Sequence, residues 1–122
     1  MIRAMCLMIL ILSGAARAQV AIDAMKFGTA VEKNEVVGEG ASFAVSTEKV
    51  FCWIKVLNAE NRTLTAKWYL NDVWVSDVPL EISSNAMRTY SSKTIAGNKG
   101  TWKVDIVSDN GDVLQSGTFT TQ

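Results

Sequence analysis

A chain of 122 residues suffices for one domain with a single hydrophobic core. Its 12 basic and 12 acidic side chains balance, which removes the basic excess that nucleic acid or an anionic lipid surface would require. Histidine is absent, and with it go the usual general base, the commonest zinc ligand and the Ser-His and Cys-His nucleophile systems.

The N-terminus reads MIRAMCLMILILSGAARAQV. A head carrying Arg3 precedes an apolar stretch from Ala4 to Leu12, and Ala16-Arg17-Ala18 supplies the small-x-small pattern that a signal peptidase accepts. The stretch is much shorter than the roughly 20 residues that span a bilayer. The expectation is a cleavable signal peptide over residues 1–18, cleavage after Ala18, and a single periplasmic or secreted domain over residues 19–122 with no membrane span. Loss of Arg3 and Arg17 leaves 10 basic against 12 acidic residues, a net charge of −2. Cys52 is then the only cysteine, so an internal disulfide is excluded. Its apolar neighbours mark it as a small buried hydrophobe.

Beyond residue 19, turn signals recur at short intervals and the runs between them are rich in Val, Ile, Thr, Trp and Phe. That pattern predicts an all-β fold, an immunoglobulin-like sandwich of about seven antiparallel strands. The first strand is expected near Ala24–Val31, followed by a loop from Glu32 to Gly40. The next, Val50–Leu57, is apolar on both faces, as in a strand covered on both sides or one meeting a partner. In Thr63–Leu70, residues Leu64, Ala66, Trp68 and Leu70 share the inner face by parity. Asn71-Asp72 makes a tight hairpin to Val73–Val78, after which Pro79 indicates an edge strand or a bend. Met87–Ile95 is polar on both faces. Thr101–Val107 buries Trp102, Val104 and Ile106, and Asn110-Gly111 supplies a primed turn into Val113–Thr120.

Candidate sites are few. Arg88, Tyr90 and Ser92 share one strand face, where a guanidinium beside a phenol could hold a carboxylate, phosphate or sugar. The alternative is a cross-strand ion pair of Arg88 with Asp77, Glu81 or Asp105. Ser91 and Lys93 lie on the opposite face but form no recognised nucleophile motif. Among the aromatic residues, Trp68 and Trp102 alternate with aliphatic residues and belong to the core. Trp53 and Trp74 are the pair that could form an exposed interaction patch. Asp105, Asp109 and Asp112 lack calcium-loop spacing, and no metal or cofactor is expected.

The runs VFCWIKVLN, KWYLNDVWV, MRTYSSKTI, GTWKVDIV and GDVLQSGTF, in this order, resemble a bacterial family known as domain of unknown function 2914. The resemblance spans roughly residues 25–121. Its most telling pieces are Cys52-Trp53, Lys67-Trp68-Tyr69, Arg88 to Lys93 and Gly100 to Val104. It implies an exported or membrane-associated β-sandwich-like module and no assigned reaction. Before Arg88-Thr89, where the family pattern leads one to expect an aromatic residue, this chain has Met87.

The functional expectation is an exported, non-catalytic module that binds a protein or an extracellular glycan through Arg88, Tyr90 and Ser92 or through Trp53 and Trp74. The alternatives are an assembly protein that self-associates through an edge strand and, with less support, a hydrolase working without histidine.

Overall fold

The structure is a computed structural model that describes residues 19–122. The expected signal peptide, residues 1–18, lies outside the described residues. Ten strands are present: β1 Ala21–Gly28, β2 Ala30–Glu32, β3 Glu35–Val37, β4 Ser42–Phe43, β5 Lys49–Leu57, β6 Arg62–Leu70, β7 Val73–Ile82, β8 Ala86–Thr94, β9 Gly100–Val107 and β10 Val113–Thr121. No helix occurs among the described residues.

The strands form a three-stranded sheet in the order β1-β5-β8, a five-stranded sheet in the order β4-β10-β9-β6-β7, and the separate hairpin β2-β3. Every pairing is antiparallel except that of β4, which runs parallel to β10. This is an immunoglobulin-type sandwich in which β7 joins the five-stranded sheet. The constant-type arrangement instead places a fourth strand beside the equivalent of β8. The switch leaves β8 as an open edge.

Period-two alternation decides what lies between the sheets. Val50, Cys52, Ile54 and Val56 of β5 face Leu64, Ala66 and Trp68 of β6 and Trp102, Val104 and Ile106 of β9, and all are buried. An aromatic cluster ties the layers together. Trp102 stacks on Phe119 with ring centroids 5.9 Å apart, and Phe27 and Phe43 approach the same Phe119 at 4.9 and 5.6 Å. Burial of each such side chain stabilises the fold by about 1.5–3 kcal/mol.

Several sequence expectations change. The first strand does not run to Val31; it ends at Gly28, and the chain turns into the β2-β3 hairpin where a loop was expected. Lys33 and Asn34 both adopt positive φ, of 52° and 63°, as a two-residue primed turn requires. The expected Val73–Val78 strand continues through Pro79 to Ile82. Its position at the edge of the sheet explains the tolerance of Pro79, since an edge amide has no ladder bond to lose. In the Ser108–Asp112 turn only Gly111 has positive φ. The Gly111 amide bonds the Ser108 carbonyl, a type I turn closed by a left-handed glycine rather than a primed turn.

Candidate functional site

The outward face of the three-stranded sheet is set by pairing register. Lys26 of β1, Trp53 of β5 and Tyr90 of β8 form one cross-strand row. Lys55 and Arg88 form the next row toward one end, and Phe51 and Ser92 the next toward the other. Arg88, Tyr90 and Ser92 therefore share a face, and Trp53 lies beside them. Tyr90 is exposed and packs edge-on against Phe51, with centroids 5.6 Å apart.

The hairpin β2-β3 lies over this face and governs what is open. It can approach because Gly28 has no side chain: a Cβ there would sit 2.4 Å from Val36 Cγ2 and 2.6 Å from the Val37 carbonyl oxygen. The indole N–H of Trp53 donates to the Asn34 carbonyl at 2.9 Å, and Lys26 Nζ lies 5.3 Å from the Trp53 ring. Trp53 is consequently buried. At the turn end of the hairpin Arg88 Nη1 meets Glu35 Oε2 at 3.2 Å, with both side chains about half exposed. The partner of Arg88 is therefore Glu35, not Asp77, Glu81 or Asp105. Beside this pair runs a groove of about 500 Å³ lined by Asn34, Lys55, Ser83, Met87 and Arg88.

On the inward face of β8, Ser91 accepts the indole N–H of Trp68 at 2.8 Å in the interior. It is 4% exposed and shares its side of the strand with buried apolar residues. The hydroxyl of Ser91 serves the core.

Trp74 stands apart from Trp53, on the outer side of the other sheet. It is 57% exposed, and the two tryptophans do not form a common patch. A bulge sets its orientation: Trp68 pairs with Ser76 while Tyr69 pairs with Trp74, so Val75 is the extra residue. The bulge shifts the phase of β7, and both Trp74 and Asp77 point outward. The indole N–H of Trp74 donates to Asp77 Oδ1 at 2.8 Å, and Lys67 Nζ reaches the same carboxylate at 3.1 Å. The Trp74 hydrogen bond, and then the contact with Lys67, hold the Asp77 carboxyl below its ordinary value.

Two features escaped the sequence reading. The hairpin was signalled by Val31-Glu32-Lys33-Asn34-Glu35-Val36, short mirror-image runs around a two-residue turn without glycine. The adjacency of Tyr69 and Trp74 follows from counting outward from the Asn71-Asp72 loop, whose two residues carry φ of 50° and 67°.

No curated protein sequence matches the chain. A family model described as protein of unknown function (DUF2914) matches residues 61–121, from the turn before β6 to the end of β10. That match takes in β8 with Arg88, Tyr90 and Ser92, the pair Tyr69 and Trp74, and half of the 122 residues, and the chain belongs to this family.

Proposed function

We propose that this chain is an exported, non-catalytic binding domain whose ligand, a protein or an extracellular glycan, is met on the outer face of β8. The observation that carries the reading is the grouping of Arg88, Tyr90 and Ser92 on one open face of an edge strand. Tyr90 offers an exposed ring that packing against Phe51 orients. Arg88 offers a guanidinium held by one exposed carboxylate, a partner that a ligand anion can displace at small cost. The absence of histidine supports binding over acid–base chemistry. The small-residue pattern before Gln19 supports release into the periplasm or medium after cleavage behind Ala18.

Two measurements test the proposal. N-terminal sequencing of protein recovered outside the cytoplasm should begin at Gln19. Immobilised wild-type protein should retain a partner that Arg88→Ala protein fails to retain. An Arg88→Ala variant that folds and captures the same partners equally well removes this face from the reading.

Self-association through β8 is the second reading, and one observation favours it. Among the described residues, three of the four edges of the two larger sheets carry a device that discourages strand addition: a bulge between Ile22 and Ala24 in β1, the bulge and Pro79 in β7, and the two-residue length of β4. β8 pairs with β5 in unbroken register from Ala86 to Thr94 and has none of these. Sedimentation across a concentration series would reveal dimers, and a Ser92→Pro substitution, at a position whose amide points away from β5, would abolish them.

A further inference from the structure

The outward face of the five-stranded sheet carries an ordered arrangement that the β8 site does not use. Register places Lys103 of β9, Tyr69 of β6 and Trp74 of β7 in one cross-strand row. The next row holds Asp105, Lys67 and Asp77 on the same three strands. Neighbouring strands lie about 4.8 Å apart, so the two aromatic side chains are offset by one strand spacing, with a charged row beside them.

Each member of this band is held in place. Asp77 takes the indole N–H of Trp74 and the ammonium of Lys67. Lys103 Nζ lies 4.7 Å from the Tyr69 ring centroid and 3.8 Å from Asp105 Oδ2. Asp105 also accepts the hydroxyl of Ser116. The indole of Trp74 is therefore fixed at its polar edge while its flat face is open to water. A large aromatic residue more than half exposed yet tethered by its own N–H is a preformed stacking surface, with little rotamer freedom left to lose on binding.

The chemistry of the band selects the ligand. Two lysines and two aspartates sum to zero charge, so neither a phosphate nor a polycation gains from the field of the face. Asp105 is buried against Ser116, and Lys67 beside Asp77 presents a donor next to an acceptor, which suits a ligand that carries hydroxyls. The open aromatic area, one indole and part of a phenol, is small against the roughly 800 Å² that each side of a stable protein interface buries. A pyranose ring, apolar on its C–H faces and hydroxylated at its rim, fits both rows at once.

We infer that the outward face of β9-β6-β7 binds a neutral oligosaccharide, with one sugar ring on Trp74, the next near Tyr69, and ring hydroxyls on Asp77, Lys67 and Lys103. This deepens the binding reading above, because it rests on the chain being a binding domain and names a ligand class and a second face.

The protein carries its own reporter. Trp53, Trp68 and Trp102 are 4%, 0% and 1% exposed, so Trp74 is the tryptophan that a dissolved quencher reaches. The test titrates purified protein with neutral hexasaccharides of β-1,4-linked glucose, β-1,4-linked N-acetylglucosamine and α-1,4-linked glucose. Calorimetry and acrylamide quenching are the readouts. At least one sugar should bind and shield the fluorescence, and the affinity should not change with salt. Trp74→Ala should weaken association about tenfold or more, Trp74→Tyr should retain most of it, and Arg88→Ala should leave it unchanged. Failure of all three sugars to bind overturns the inference, as does binding that survives Trp74→Ala or that falls with salt. Failure of all three sugars beside partner capture that depends on Arg88 would overturn this inference alone and leave the β8 reading intact. Indifference of every ligand to both variants would remove both.

Discussion

Trp68 on β6 donates its indole N–H to Ser91 on β8 at 2.8 Å, a hydrogen bond that crosses the interior from one sheet to the other. Trp68 is fully buried, so its N–H has no route to water if the acceptor is lost. Ser91→Ala should therefore destabilise the domain by about 1–3 kcal/mol, the cost of an unsatisfied buried donor. Denaturant unfolding should show the midpoint moving to lower concentration with the slope unchanged.

Gly28 controls the seating of the β2-β3 hairpin. A methyl group at this position would overlap Val36 and the Val37 carbonyl, and backbone cannot move aside as a flexible side-chain tip can. Gly28→Ala should lift the hairpin and cost about 1–3 kcal/mol, as overpacking does elsewhere. The bond from Trp53 to the Asn34 carbonyl would be broken with it, so a second tryptophan should become accessible to acrylamide.

Loss of Arg88 should behave differently. The ion pair with Glu35 joins two side chains that are 46% and 57% exposed, and water screens such pairs. Arg88→Ala should change stability by less than about 1 kcal/mol, and a double-mutant cycle with Glu35→Ala should return a coupling of only a few tenths of that. A much larger coupling would mean that the hairpin is latched by this pair and not by Gly28 and Trp53.

The contrast between these positions shows where the sequence was informative. Trp68, Trp102 and the inner residues of β6 and β9 could be assigned to the core because alternation with aliphatic neighbours leaves one consistent face. The partner of Arg88 could not be assigned, because Glu35 reaches it from a hairpin whose three-residue strands are too short to carry a period. Trp53 looked like an exposed candidate for the same reason: only the Asn34 turn above it shows why a tryptophan on the outer side of a sheet is buried. Trp74 and Asp77 owe their common direction to the bulge at Val75, and a one-residue insertion in a pairing leaves no mark in hydrophobicity.

Two exposed carboxylates give the fold a defined acid response. Arg62 holds the Asp109 carboxyl below its ordinary value through a two-point contact at 2.6 and 3.1 Å, chiefly by hydrogen bonding. Trp74 and Lys67 do the same for Asp77. A carboxyl lowered in the folded state contributes its full stabilisation above the ordinary value of 3.8 and loses it as the pH falls through the lower folded value. Melting temperature should thus be flat with respect to these two groups above about pH 5 and decline below about pH 4. Followed by NMR, Asp109 should titrate closer to 3.8 in Arg62→Met, and Asp77 should do so in Trp74→Phe, which keeps the ring and removes only the donor.

Cys52 makes the opposite prediction at the alkaline end. It sits on the inner face of β5, 2% exposed, among apolar side chains that stabilise no thiolate, and burial pushes its thiol from 9.0 up to about 12. An aromatic disulfide reagent at neutral or mildly alkaline pH should therefore leave the folded protein unmodified and titrate one Cys52 thiol once denaturant is added. The same shift links stability to pH with a definite sign. Below 9.0 the thiol is neutral in both states and contributes no pH dependence. Above that value the unfolded chain releases the proton and the folded chain holds it, so stability falls as pH rises toward about 12, with a slope of at most one proton. Cys52→Ala should be less stable at neutral pH because of the space it leaves, and its stability should lack this alkaline component. Rapid labelling of the native protein at neutral pH would show that β5 opens locally, and the two-sheet core would then be less continuous than its burial implies.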